Sequence, residues 1–275
     1  MTHSATIKPV GKTALCCSYL RMLDAQSTCP IGSDTLARRF LTEETEDEFG
    51  HFAREKHSLN NLAARHALID RQVTAILAEI PSANIISIGS GLETRAFRIK
   101  GGKWFEIDDP GIIDYKNRML PGAECENPLQ RIPCDFSHGA LERALDQIPG
   151  SSTNVFIIEG VFYYLTDEEL EQTLKLISNH SPYHRLLCDH ITRQFASTFS
   201  KRFNAKIRAL GADLKHASDV ELSRYGYQSL QRLSVPLFAA SQKRNWLQKM
   251  VVRFFLPSLR DGYTVQQYSI LGTNN

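Results

Sequence analysis

Gly89 and Gly91 stand one residue apart in "ISIGSGLETRAF", directly after an apolar, β-branched run. Glycines at such a break let the backbone approach a bulky ligand that side chains would hold off. Asp108 closes the next apolar run, "KWFEID", 17 residues beyond Gly91. A carboxylate at the end of a second strand accepts hydrogen bonds from both hydroxyls of a ribose. Glycine loop and strand-two acid together are the signature of a nucleoside-containing cofactor. A dinucleotide needs more, because its pyrophosphate rests on a helix N-terminus with a third small residue three places on. Here Thr94 falls at that place and Glu93 brings negative charge towards the phosphates. This disfavours NAD and favours an adenosine cofactor without phosphate, which S-adenosylmethionine fits.

The elements that must carry these residues alternate in type. "NIISIG", "KWFEID", "RIPCDF", "NVFIIEG" and "RLLCDHI" read as strands. "TDEELEQTLKLISNH" reads as a helix with Thr166 as N-cap and acids in its first turn. Such alternation predicts an α/β fold, a parallel sheet with helices on both faces. Upstream, Leu62, Ile69, Val73, Ile76, Leu77 and Ile80 recur at helical spacing and predict a long amphipathic helix ending at Pro81. Residues 12–41 look helical with a break near Pro30 and Gly32, and the acidic run "TEETEDE" is a helix start or a solvated loop. The tail "RFFLPSLRDGYTVQQYSIL" reads as two extended runs joined around Asp261-Gly262, a closing antiparallel hairpin.

The chain has 275 residues, 42% hydrophobic and 23% charged, which suits one globular domain and excludes disordered and collagen-like classes. The division expected is a helical cap over 1–80, a cofactor-binding core over 81–190, and substrate-side helices with the hairpin over 191–275. No run has the apolar length to cross a bilayer, and the N-terminus does not read as a secretory signal. Cys16, Cys17, Cys29, Cys125, Cys134 and Cys188 form no C-x-x-C pair and read as reduced thiols in a cytoplasmic protein. The histidines show no metal-ligand spacing, so no metal is predicted. The net charge of +2 hides an asymmetry: residues 1–190 carry 19 basic against 26 acidic side chains, and residues 191–275 carry 13 against 4. No basic tract interleaves with aromatics as a nucleic-acid groove requires, so a small-molecule acceptor is favoured over RNA. In residues 242–256, Trp246, Leu247, Met250 and Phe254 form an apolar stripe beside Lys243, Arg244, Lys249 and Arg253. That segment is a helix packed on the sheet or a lid over an anionic, partly hydrophobic acceptor; a membrane-surface helix is disfavoured because the stripe is short and no second anchor is visible.

Several segments carry a family resemblance. "IISIGSGLETRAFRI" resembles the I-L-G-A-G-L-D-T-R-A-x-R-L signature of the leucine carboxyl methyltransferase family. "WFEIDDPGIIDYKNRML" is similar to its F-E-V-D-x-P segment, and "IIEGVFYYLTDEEL" to its A-E-G-L-x-x-Y-L-x-x-E segment. "KTALCCSYLRMLDA", "SDTLARRF" and "ARHALIDRQV" are similar to its N-terminal helices. Ser90 and Glu93 replace the family's alanine and aspartate, and past Ile191 the likeness fades to a closing hairpin. The resemblance implies a Rossmann-like, class I methyltransferase sheet with an N-terminal helical cap. It also implies S-adenosylmethionine as donor and S-adenosylhomocysteine as product, and its bacterial branch includes small-molecule O-methyltransferases. By motif match, Arg65 falls on the arginine for the methionine carboxylate, Gly89 on the loop glycine and Asp108 on the ribose acid. Asp135 and Phe136 fall on the pair flanking adenine, Glu159 on the acid near the methionine amino group, and Lys12 near a lysine of the cap.

Each residue type has its own rationale and its own plainer alternative. Arg65 offers a charge-assisted clamp for a carboxylate, or is a surface arginine on an amphipathic helix. Glu159 ends an apolar strand and needs a cation, either a cofactor ammonium or a structural Lys or Arg. Asp135 can accept from an adenine amino group and Phe136 can stack on its ring, or they are a turn acid and a core aromatic. Tyr163 and Tyr164 line the mouth of methyl transfer, or pack. Transfer to a carboxylate needs no base, whereas a phenol or alcohol does. His190 is the base candidate, against the alternative of a satisfied strand-end histidine. A protein C-terminal carboxylate, tRNA, or cofactor binding without catalysis are the other functions this pattern admits.

Overall fold

Seven short strands, most of them apolar at their centres, form one sheet. A computed structural model describes residues 9–137, 139–150, 153–215, 222–242, 246–254 and 256–270. The strands are β1 (Asn84–Ile88), β2 (Lys103–Asp108), β3 (Leu129–Pro133), β4 (Asn154–Ile158), β5 (His184–Ile191), β6 (Tyr227–Ser234) and β7 (Tyr263–Ile270). Their order across the sheet is β3-β2-β1-β4-β5-β7-β6. β1 to β5 are mutually parallel, and β7 runs antiparallel to both β5 and β6. The order reverses between β1 and β4, the place where open α/β sheets bind ligands at their carboxyl ends.

Strand parity builds the two core layers. Ile86, Phe156, Leu186 and Cys188 face Leu141 and Leu145 of α6 (Ala140–Leu145) and Leu170, Leu174 and Ile177 of α7 (Asp167–His180). Their neighbours Ile85, Val155, Ile157 and Leu187 face Ile69, Val73, Ile76 and Leu77 of α3 (Lys56–Glu79) on the opposite side. The predicted amphipathic helix is therefore α3, its apolar stripe spent on the sheet. α7 starts where its composition says it should, with Thr166 and Glu169 completing a capping box.

A third core joins α1 (Pro9–Ala25) and α2 (Glu43–Phe49) to Leu62 of α3 and to Ile207 of α9 (Lys201–Ala209). Thr42 caps α2, so the acidic run is a helix start. The remaining helices are α4 (Arg95–Arg98), α5 (Pro110–Met119), α8 (Arg193–Thr198), α10 (Val235–Gln242), α11 (Trp246–Phe254) and α12 (Pro257–Asp261). None of the six cysteines is in a disulfide, and no described helix is long and apolar enough to cross a membrane.

Two expectations for the last third need correction. The antiparallel pair exists, but β7's outer partner is β6 at 227–234, while the predicted first arm is helical as α11 and α12. Pro257 sits in the first turn of α12, where its missing N–H costs nothing. The lid is not supported: α11 packs on α10 and α12, and none of its described residues lines the cavity described below. Met250 and Phe254 face solvent while Val252 is buried, so these two residues of the stripe turn outwards. Lys243 and Arg244 lie outside the described residues.

Candidate functional site

At the carboxyl ends of β1, β2 and β4 opens a cavity of about 870 Å³, walled by the loops after those strands and by α1, α3, α8 and α9. The glycine loop forms its floor. Gly89 and Gly91 take φ of +69° and +50°, the left-handed region that glycine enters without strain. A Cβ on Gly89 would lie 2.5 Å from Val161 Cγ2, so sterics and backbone both require glycine there. Gly89 and Ser90 donate their amides to Ile107 O at 2.9 and 3.1 Å, which ties the loop to β2.

β2 delivers Asp108 beside that loop. One carboxylate oxygen accepts Gly91 N at 2.5 Å and the other accepts its neighbour's amide, Asp109 N, at 2.7 Å. Burial outweighs these bonds and lifts the carboxyl to about 6. Each oxygen keeps a second lone pair, which suits two adjacent hydroxyls. Beyond β3, Asp135 accepts Ser137 N at 3.0 Å and Ser137 Oγ at 2.7 Å, so it is a turn acid that also lines the cavity. Phe136 follows at φ +55°, the one non-glycine among the described residues with positive φ. It lines the cavity and is 45% exposed, an uncommon cost for an aromatic.

Opposite the loop lies a buried network of charge. Arg65 donates from Nε to Glu159 Oε1 at 2.8 Å and from Nη1 to Asp189 Oδ2 at 3.2 Å. Arg95 donates from Nη2 to Glu159 Oε2 at 2.5 Å and from Nε to Asp70 at 2.7 Å, and pairs with Glu93. Arg98 binds Asp70 at 2.7 Å, and Arg21 binds Asp34 at 2.9 Å. Burial alone would raise Glu159, but Arg95 and Arg65 overcome it and hold the acid well below the carboxylate range. Burial and Arg95 keep His66, in the middle of the network, below its ordinary value and so neutral. Four guanidiniums (Arg21, Arg65, Arg95, Arg98) thus meet five carboxylates (Asp34, Asp70, Glu93, Glu159, Asp189), one negative charge in excess.

Of the eleven residues singled out by sequence, nine line this one cavity: Arg65, Gly89, Gly91, Asp108, Asp135, Phe136, Glu159, Tyr163 and Tyr164. Lys12 does not. Thr13, Ala14, Cys17 and Arg21 of α1 face the cavity at helical spacing, and Lys12 points outwards to Glu48 at 2.9 Å. His190 does not either. On β5 it shares a face with Leu186 and Cys188 and meets Phe162 edge-on, away from the cavity wall. Tyr163 donates to Asp189, and burial pushes Tyr164 up to about 12. The residues missed are Asp189, Arg95, Tyr263 and the wall of Ala196, Ser200, Phe203 and Ile207. For Asp189 the signal was present: an acid in the apolar strand "RLLCD" raises the same question as Glu159.

This strand order, with a glycine cradle after β1 and an acid after β2, defines a class I S-adenosylmethionine-dependent methyltransferase. Residues 14–178 match the family described as leucine carboxyl methyltransferase, and the chain belongs to that family. The tetracenomycin polyketide synthesis O-methyltransferase TcmP of Streptomyces glaucescens is 23% identical over 218 residues, 77% of this chain and 76% of TcmP. A Parafrankia protein named for S-adenosyl-L-methionine-dependent methyl transfer is 26% identical over 186 residues, 62% of this chain and 60% of its own length. Among solved structures, a DUF574-family protein of Streptomyces avermitilis shares the fold at a TM-score of 0.61 and 12% identity, over 92% of this chain and 97% of that one.

Proposed function

We propose that this enzyme methylates an oxygen of a small molecule, and that the oxygen belongs to a carboxylate. The residues present suit the donor. Asp108 accepts from the ribose hydroxyls, Asp135 and Phe136 flank the adenine, Arg65 meets the methionine carboxylate and Glu159 its ammonium. S-adenosylmethionine carries one net positive charge, which complements the one negative charge in excess in the buried network. When bound, it supplies a methyl group already activated on a sulfonium, so the protein's task is alignment and exclusion of water.

The observation that carries the carboxylate reading is the chemistry of the acceptor end. From α1, α3, α8 and α9 the cavity lining includes Thr13, Ser58, Asn61, Ala196, Ser200, Phe203, Asn204 and Ile207. Among these described residues none takes up a proton near neutral pH. Tyr163 is engaged as a donor to Asp189, and Tyr164 titrates near 12. An acceptor that arrives ionised needs no base, and the hydroxyls and amides along this wall can orient it while Phe203 and Ile207 cover an apolar frame. The relation to TcmP, an O-methyltransferase of polyketide synthesis, supports an oxygen of a small molecule as the acceptor.

The test is transfer of a labelled methyl group to a panel of hydrophobic carboxylic acids and phenols, followed by mild alkali. Methyl esters release labelled methanol and aryl ethers do not. Alkali-stable label, or label found only in protein or tRNA, overturns the proposal.

A further inference from the structure

Asp189 does not line the cavity, yet four donors from three segments converge on it. Oδ1 accepts Gly160 N at 2.7 Å, from the loop after β4. Oδ2 accepts Arg65 Nη1 at 3.2 Å from α3, Tyr263 OH at 3.3 Å from β7, and the Tyr163 hydroxyl. Its side chain is 1% exposed. We propose that Asp189 is a positioning residue for methyl transfer: it fixes the Arg65 guanidinium and the Gly160–Tyr163 loop against each other, so that Arg65 meets the amino-acid carboxylate of the donor in one orientation. The inference rests on the reading of Arg65 as the carboxylate clamp.

An arginine side chain turns about several bonds, and Glu159 holds only its Nε edge. Asp189 takes the second nitrogen, Nη1, and the plane of the guanidinium is then set by two separate acids. Tyr263 closes a triangle, since Arg65 Nη1 also donates to its hydroxyl at 3.4 Å. The loop is seated on the same group. Gly160 has φ +70°, and a Cβ there would lie 3.1 Å from Arg65 Nη1, so its backbone rests directly on the guanidinium. Asp189 therefore registers the arginine and the loop that carries Tyr163 with one carboxylate. It is also one of the two carboxylates that meet Arg65, so its removal leaves the guanidinium held by Glu159 alone among the acids.

Asp189→Asn keeps the shape and turns one acceptor oxygen into an NH₂ facing donors. The binding probes are S-adenosylhomocysteine and 5′-methylthioadenosine, which share the adenosine and sulfur while the second lacks the amino-acid part. Loss of one charge-assisted contact predicts that Asp189→Asn weakens S-adenosylhomocysteine about 10- to 100-fold, with less than about threefold change for methylthioadenosine. In an Arg65→Ala background the Asp189→Asn loss should vanish, because the two residues act as a unit. Equal weakening of both ligands means that Asp189 serves only the fold, and no weakening of either means that Arg65 is oriented without it; each result overturns the proposal. If Arg65→Ala itself leaves S-adenosylhomocysteine binding intact, the clamp reading fails, and it fails separately from any Asp189 result. If Asp189→Asn does not fold, Tyr263→Phe decides, since it removes one arm of the triangle: the same ligand-selective loss, several-fold in size, is expected, and its absence overturns the proposal.

Discussion

Asp108→Asn probes the floor of the cavity from two directions at once. Burial lifts the Asp108 carboxyl from an ordinary value of about 3.9 to about 6. Two pKa units correspond to about 3 kcal/mol. The native carboxyl holds its proton more tightly than the unfolded one, so below about pH 4 the group costs nothing. As pH rises from 4 to 6 the unfolded chain releases the proton first, stability falls, and above 6 the whole penalty of about 3 kcal/mol stands. Asparagine carries no such penalty but loses one of the two backbone hydrogen bonds, about 1 kcal/mol. Without ligand, Asp108→Asn should therefore be more stable than wild type by about 2 kcal/mol at pH 8. That advantage shrinks below pH 6 and reverses below about pH 5. Thermal melts across this range read the effect as several degrees that change sign. Cofactor binding moves the other way. If the ionised acid accepts from both ribose hydroxyls, as proposed, the amide cannot replace it, and calorimetry should show S-adenosylhomocysteine weakened about 10- to 100-fold in the variant at pH 8. Wild-type affinity should be flat above pH 7 and fall up to about tenfold per unit below 6. A variant that binds like wild type, or that is less stable at every pH, would refute the reasoning.

Gly89→Ala should abolish measurable S-adenosylhomocysteine binding, because its Cβ meets Val161 Cγ2 and its φ is left-handed; adding Val161→Ala should restore only part of the affinity, and full restoration would count against the backbone argument. Lys12→Ala should leave the S-adenosylhomocysteine dissociation constant unchanged, since its partner is surface Glu48, and His190→Gln should leave kcat within about threefold of wild type, less than loss of a base would cost; a hundredfold loss would return the base to His190. Ser200→Phe fills the acceptor end between Ala196 and Phe203, so KM for the acceptor should rise at least about tenfold, the effect of roughly 1.4 kcal/mol, with cofactor affinity unchanged; equal losses of both would place the cofactor against α9.

What could be read from the sequence was decided by where the physical signal is local. β1, β2, β4 and β5 are apolar-centred runs bordered by turn residues, and Thr166 with Glu169 announces a helix start on its own. β6 sends no such signal. It is the sheet's edge, five consecutive residues from Gln228 to Arg232 are exposed, and a bulge breaks its register near Ser229 and Gln231. Polar, irregular edges resist pairing with other chains, and the same polarity hides them from a search for alternation. "RFFLPSLRD" shows the converse: its apolar density suits a strand, but Pro257 starts a helix that only packing against the rest of the chain selects. The site divides along the same line. Gly89, Asp108 and Glu159 stand at strand ends and could be found by type and spacing. Choosing between Asp189 and His190 requires knowing which face of β5 looks towards Arg65, and strand parity turns adjacent residues to opposite faces. Arg95, His66 and Asp70 are harder still, since charges on helices usually mean solvent and here they mean one another. What unites Asp189 with Glu159 is the cost of burying a carboxylate in an apolar strand. That cost demands a cation, and Arg65, reaching both acids from α3, is the cation they share.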